Sequence, residues 1–175
     1  VAREFPAALP LTREVEVYYC VMRNPAPQTI HDCLFSLRVG GDDIVVAASA
    51  AWPLSTHEHG RIQDLQEYRA GVQGVRDVMV SALGTFPDLK LYWMSSIAQP
   101  MVDSYHWQSI RDHRNDGLNS MLNDIARGAF VNTPVKVFDV FNLTLPVNSA
   151  AFDSAHYSLF VLKEMVDALL TDLVK

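Results

Sequence analysis

The chain alternates short apolar runs with longer segments in which apolar residues recur every three or four positions. The short runs are rich in β-branched and aromatic residues and end at Pro or Gly signals, which is typical of strands. The longer segments place their apolar residues on one face, as an amphipathic helix does. The pattern predicts strands at 15–22, 43–48, 89–94 and 135–140, and helices at 29–37, 62–83, 107–129 and 157–174.

The order of these elements, a strand followed by a helix four times over, predicts a parallel sheet with helices on its faces. The run at 44–48 is apolar throughout, as expected of a strand that is covered on both sides. The helices are long enough to serve as crossovers between parallel strands. We therefore predict a three-layer α/β/α, flavodoxin-like sheet in one domain that spans residues 1–175.

Composition narrows the range of partners. The 175 residues are 49% hydrophobic and 19% charged, with a net charge of -6, and the basic residues form no cluster. Nucleic acids and anionic lipids attract concentrated positive charge, so we expect neither as a partner. No apolar run approaches the ~20 residues that a transmembrane helix needs. We also expect no cofactor and no metal site.

The chain contains two cysteines, Cys20 in a predicted strand and Cys33 in a predicted helix. Two are too few for a disulfide scaffold or a cysteine zinc site. We predict that both are buried free thiols, since free cysteine packs as a small hydrophobe. We accordingly expect a soluble protein of the cytosol or an organelle interior rather than a secreted one.

Candidate chemistry lies after the strands, because ligands of open α/β sheets bind at the carboxyl ends of the strands. Asp153 and His156 follow the fourth strand, and such a pair can orient an imidazole as a general base. The competing interpretation is that Asp153 caps the last helix and His156 is an early helical residue. The loops after the second and third strands supply the other predicted cleft residues, Ser49, Trp52, Ser95 and Ser96.

Four blocks, at residues 43–55, 67–69, 91–96 (Leu-Tyr-Trp-Met-Ser-Ser) and 152–158, together resemble the PC-esterase branch of the SGNH/GDSL hydrolases. Residues 43–55, Asp-Ile-Val-Val-Ala-Ala-Ser-Ala-Ala-Trp-Pro-Leu-Ser, are similar to its central strand and loop, and Glu67-Tyr68-Arg69 is similar to a following Tyr-Arg pair. Residues 152–158, Phe-Asp-Ser-Ala-His-Tyr-Ser, resemble its closing Asp-x-x-His-Tyr block. The resemblance runs from about residue 12 to the end and implies an SGNH-like fold. Members are esterases or acyl-transfer enzymes that act on acylated glycans and lipids.

The resemblance implies a catalytic apparatus of which this chain keeps only part. Of the family's functional residues, only Asp153 and His156 are matched. Ala48 stands at the position of an oxyanion-binding Asn and Ala50 at that of a Gly, and the sequence contains no Gly-Asp-Ser nucleophile motif. Losing one oxyanion donor typically costs ~10²–10³ in rate. The pair is thus predicted to be a remnant or a partial triad.

The missing motif has a structural corollary. In flavodoxin-like order the family's nucleophile strand lies in the middle of the sheet. The resemblance implies that this chain starts after that strand, so we expect the domain to be incomplete at its N-terminus. A sheet without its central strand would have two unpaired edges beside 43–48. Pro6 and Pro10 make residues 1–12 a poor central strand, so we expect a separate segment or another protein chain to complete the sheet.

Three functional hypotheses follow. The first is a non-catalytic structural or interaction subunit of a larger assembly. The second is an acyl-esterase whose serine lies in an upstream or separate segment. The third is a metal-assisted hydrolase that uses His57 and His59, although solvated loop histidines are commoner and no third ligand is evident.

Overall fold

The computed structural model describes residues 17–36, 43–49, 52–54, 62–99, 115–150 and 157–173. The described strands are β1 (Val17–Val21), β2 (Ile44–Ala48), β3 (Lys90–Met94) and β4 (Lys136–Phe138). The described helices are α1 (Pro27–Ser36), α2 (Leu65–Ala82), α3 (Asp116–Phe130), α4 (Val140–Thr144) and α5 (Leu159–Leu173). Short 3₁₀ turns lie at Trp52–Leu54 and Leu145–Val147. None of these helices is long and apolar enough to cross a membrane.

The four strands form one parallel sheet in the order β1-β2-β3-β4. Its two faces are covered unequally. On one face, α1, α2 and α3 bury a large core that includes Leu34, Val72, Leu122 and Trp93. On the other face, α5 packs a smaller cluster through Leu169 and Leu173 against Ile44, Val46 and Tyr92. The prediction of a three-layer α/β/α domain is therefore confirmed.

The predicted gap beside residues 43–48 is wrong. β2 pairs with β1 on one side, from Val17 opposite Ile44 to Val21 opposite Ala48, and with β3 on the other. Both edges of β2 are therefore satisfied within this chain, and no separate segment or second protein is needed between β1 and β2. The described sheet has four strands, whereas flavodoxin-like folds commonly have five.

The prediction of free thiols is also wrong. Cys20 on β1 and Cys33 on α1 form a disulfide, with their Cα atoms 6.2 Å apart, inside the range that disulfides span. Alternation along β1 turns Cys20 toward the face that α1 covers, so strand and helix present the two sulfur atoms to each other. The bond fixes β1 to the helix that follows it.

Close packing also positions the loop between β1 and α1. An added Cβ at Gly71 would overlap the carbonyl oxygen of Pro25, and one at Gly74 would overlap the ring of Pro27. The two glycines therefore let α2 pass directly against the chain that leaves β1. This contact holds the residues after β1 at the edge where the other strands also end.

Candidate site at the carboxyl edge

All four strands end at the same edge of the sheet because they are parallel. The residues that follow them are Met22, Ser49, Ser95 and Asp139. This edge is where ligands bind in open α/β folds, so the predicted cleft residues can be tested here one by one.

Ser49, directly after β2, is buried, with 2% of its surface exposed. Its hydroxyl group is hydrogen-bonded to that of Tyr68 on α2. Burial raises the pKa of Tyr68 to about 12, and the bond to Ser49 only partly offsets this. Tyr68 is therefore a neutral phenol near pH 7 and does not serve as a base for Ser49.

Ser95, directly after β3, is equally buried and is also engaged. Its Oγ accepts a hydrogen bond from the Phe141 N–H at 3.0 Å and donates to Asp139 Oδ1 at 3.4 Å. The Asp139 carboxylate also accepts hydrogen bonds from Arg127 Nη1 at 3.0 Å and from the Asn142 backbone N–H at 3.2 Å. Asp139 is the N-cap of α4. The Ser95 hydroxyl therefore belongs to a helix-capping network.

Ser96 is held by two asparagines of α3 that the sequence analysis missed. Asn123 accepts from the Ser96 N–H at 2.8 Å and donates to the Ser96 carbonyl at 3.2 Å, so its amide pairs with the backbone as a neighbouring strand would. Ser96 Oγ donates to Asn119 Oδ1 at 3.4 Å. One feature of the sequence could have indicated these two residues. Asn119 and Asn123 are spaced i, i+4 on the face of a helix where apolar residues are expected, and buried amides need hydrogen-bond partners.

The rest of this loop is fixed from three directions. The Ala98 N–H donates to Thr144 Oγ1 at 2.9 Å, and the Gln99 N–H donates to Asp116 Oδ1 at 2.6 Å. The Tyr157 hydroxyl donates to the Ala98 carbonyl at 3.0 Å. Burial raises the pKa of Tyr157, so this donor keeps its proton. The described end of the block at 152–158 thus lies at the carboxyl edge.

The first two strands contribute different groups. Ala48 is fully buried, and its carbonyl accepts from the Met22 N–H at 2.7 Å, so it offers no side-chain donor. Trp52 is 40% exposed, and the Arg23 guanidinium lies 5.8 Å from its ring centroid, a cation–π arrangement. The exposed side chains described after β1 and β2 thus include an indole and a guanidinium.

The predicted general base, His156, is not among the residues that the structure describes. Asp153, His156 and Ala50 lie outside the described residues, as do His57 and His59. Their roles stay predictions. Within the described ranges, no group of three His, Cys, Asp or Glu side chains could hold a metal ion.

Comparison with known proteins supports the fold. No family model matches the chain, and no curated protein matches it. A solved structure described as "a putative platelet activating factor from Streptococcus pneumonia" superposes with a TM-score of 0.64 at 10% sequence identity. The superposition covers 93% of this chain and 86% of that one. At this identity the likeness shows a shared α/β/α architecture.

Proposed function

We propose that this chain is a non-catalytic domain of the SGNH/PC-esterase type that serves as a structural or interaction subunit. One observation carries the proposal. Each described serine that follows β2 or β3 is buried and hydrogen-bonded to a tyrosine, an aspartate or an asparagine. A nucleophilic serine instead needs a base within hydrogen-bond reach and a path to substrate.

The electrostatics of this edge support the same proposal. Acyl transfer places a developing negative charge on an oxyanion, which needs donors aimed at it. Ala48 has no such donor, and the neighbouring Ser95 hydroxyl is directed at a carboxylate that Arg127 already holds. The residues after β1, Met22-Arg23-Asn24, likewise include no serine. The described groups at this edge therefore provide neither an activated serine nor an oxyanion donor at Ala48.

Exposed apolar surface supports an interaction role. On α5, the residues that point away from the sheet include Leu159, Leu162, Val166 and Leu170, all exposed. On β1, the side chains on the face opposite α1 are also exposed, namely Val17, Tyr19 and Val21. Among the described strands, β1 has a neighbour on one side only. Extended apolar surface and an open sheet edge are typical of contact sites.

A second candidate is the esterase whose serine comes from another segment. The bond from Tyr157 to Ala98 favours it, because that bond holds the residue after His156 at the carboxyl edge. Its serine could not enter beside β2, where β1 already lies. The segment would have to approach from above the carboxyl edge or from the outer side of β1.

A fluorophosphonate probe, which labels activated serines, tests the proposal. We expect the intact mass of the purified chain to stay unchanged under conditions that fully label a known serine hydrolase. Labelling that is lost in Ser49→Ala or Ser95→Ala would overturn the proposal. Labelling that appears only when a second polypeptide is added, and that needs His156, would instead support the second candidate.

A further inference from the structure

A cavity of about 320 Å³ lies at the opposite, amino edge of the sheet. Its apolar walls come from the turn after α2, the approach to β4 and the end of α5, and include Leu83, Pro87, Pro134 and Leu173. The volume is at the lower end of the roughly 300–1,000 Å³ that is usual for small-molecule sites. The carboxyl-edge residues described above take no part in it.

The polar groups of this cavity stand on one face of the sheet. Lys90 and Tyr92 are two residues apart on β3 and so point the same way, and Lys136 on β4 is the register partner of Tyr92. The Tyr92 hydroxyl and Lys136 Nζ each donate to Asp172 Oδ2, both at 3.2 Å. Lys136 Nζ also lies 5.7 Å from the Tyr92 ring centroid. Tyr92, Lys136 and Asp172 thus form a connected polar cluster beside an apolar wall, and Lys90 lines the same cavity.

The charges of the cluster do not cancel. Lys90 and Lys136 contribute two positive charges and Asp172 one negative charge, so the cavity carries a net charge of +1. A single carboxylate would neutralise this charge, whereas a dianion would leave the cavity with a net negative charge. The leucine and proline walls suit a hydrocarbon chain, since they offer it apolar surface to cover.

We propose that this cavity binds a small amphipathic monocarboxylate, such as a medium-chain fatty acid, with its carboxylate between Lys90 and Lys136 and its chain along the apolar wall. The inference is independent of the proposed function, because it concerns the opposite edge of the sheet. Each lysine would donate a charge-assisted hydrogen bond, which is stronger than a neutral one.

Isothermal titration of the full chain with octanoate tests this inference. We expect saturable binding that Lys90→Ala and Lys136→Ala each weaken about tenfold, the factor that corresponds to ~1.4 kcal/mol. Asp172→Asn should tighten binding, because it removes the negative charge. Lys163→Ala is the matched control, since that lysine is exposed on α5 outside the cavity and pairs with Asp167.

Two further ligands distinguish the contribution of the carboxylate charge from that of the hydrocarbon chain. Octylamine should bind much more weakly than octanoate, and inorganic phosphate should not compete with it. The inference is overturned if octanoate does not bind at millimolar concentration. It is equally overturned if both lysine variants, shown to be folded by circular dichroism, bind octanoate as tightly as the parent chain.

Discussion

Removing the Cys20–Cys33 disulfide should destabilise the domain by about 3 kcal/mol. The two cysteines are 13 residues apart. In the chain-entropy model, closing a loop of this length lowers the entropy of the unfolded chain by the equivalent of about 3 kcal/mol at 25 °C. The bond also joins β1, at one end of the described sheet, to α1. Loss of the disulfide should therefore weaken the attachment of β1 to the rest of the sheet first.

Urea unfolding followed by tryptophan fluorescence measures this effect, because Trp93 is buried and its ring stacks on Phe130 at 5.4 Å. With an m-value of about 1–3 kcal/mol/M, the midpoint should fall by about 1–3 M when reductant is added. The Cys20→Ala/Cys33→Ala variant should match the reduced parent chain and should not respond to reductant. Two titratable thiols in the native protein, together with an unfolding midpoint that reductant does not change, would show that this disulfide does not stabilise the domain.

Three other predictions concern single side chains. The folded pKa of Tyr68 is about 12, above its ordinary value of 10.0. Its contribution to the free energy of unfolding is therefore complete below pH 10 and is lost as pH rises through 12. Between pH 8 and 11 the parent chain should lose about 1.4 kcal/mol of unfolding free energy that the Tyr68→Phe variant does not lose. Asn123→Ala should lower the unfolding free energy by about 2–4 kcal/mol in urea titration, because it strands the buried backbone groups of Ser96. On α5, Val161→Ala should cost about 1–3 kcal/mol, whereas Val166→Ala should stay within about 0.5 kcal/mol, since Val161 is buried and Val166 is exposed. Equal effects of the two valine changes would contradict the orientation of α5.

The sequence predicts β2 and β3 well, because each lies in a short run that is mostly apolar. The run predicted at 43–48 becomes β2 at Ile44–Ala48, and the run at 89–94 becomes β3 at Lys90–Met94. The fourth strand is shorter than predicted, ending at Phe138. Asp139 accounts for this, because it is the N-cap of α4 and the chain turns into that helix at Val140.

The pairing of strands and of cysteines was not predictable in the same way. The position of β1 beside β2 is a long-range pairing, and hydrophobic alternation gives the faces of a strand but not its neighbour. Cys20 and Cys33 meet because a strand and a helix present their sulfur atoms to each other.

The candidate site was predictable in place but not in detail. The sequence predicts that Ser49, Ser95 and Ser96 follow strands, and the structure places all three at the carboxyl edge. The hydrogen-bond partners of Ser49 and Ser96 come from other elements, namely Tyr68 on α2 and the asparagines of α3. Such partners are separated by 19 or more residues, so only the fold brings them together.

We propose above all that this chain does not hydrolyse esters by itself. The most direct measurement is the rate at which the purified chain hydrolyses p-nitrophenyl acetate, compared with its His156→Ala variant. We expect the same slow, unsaturable background for both proteins. Saturable hydrolysis by the parent chain that His156→Ala abolishes would contradict it.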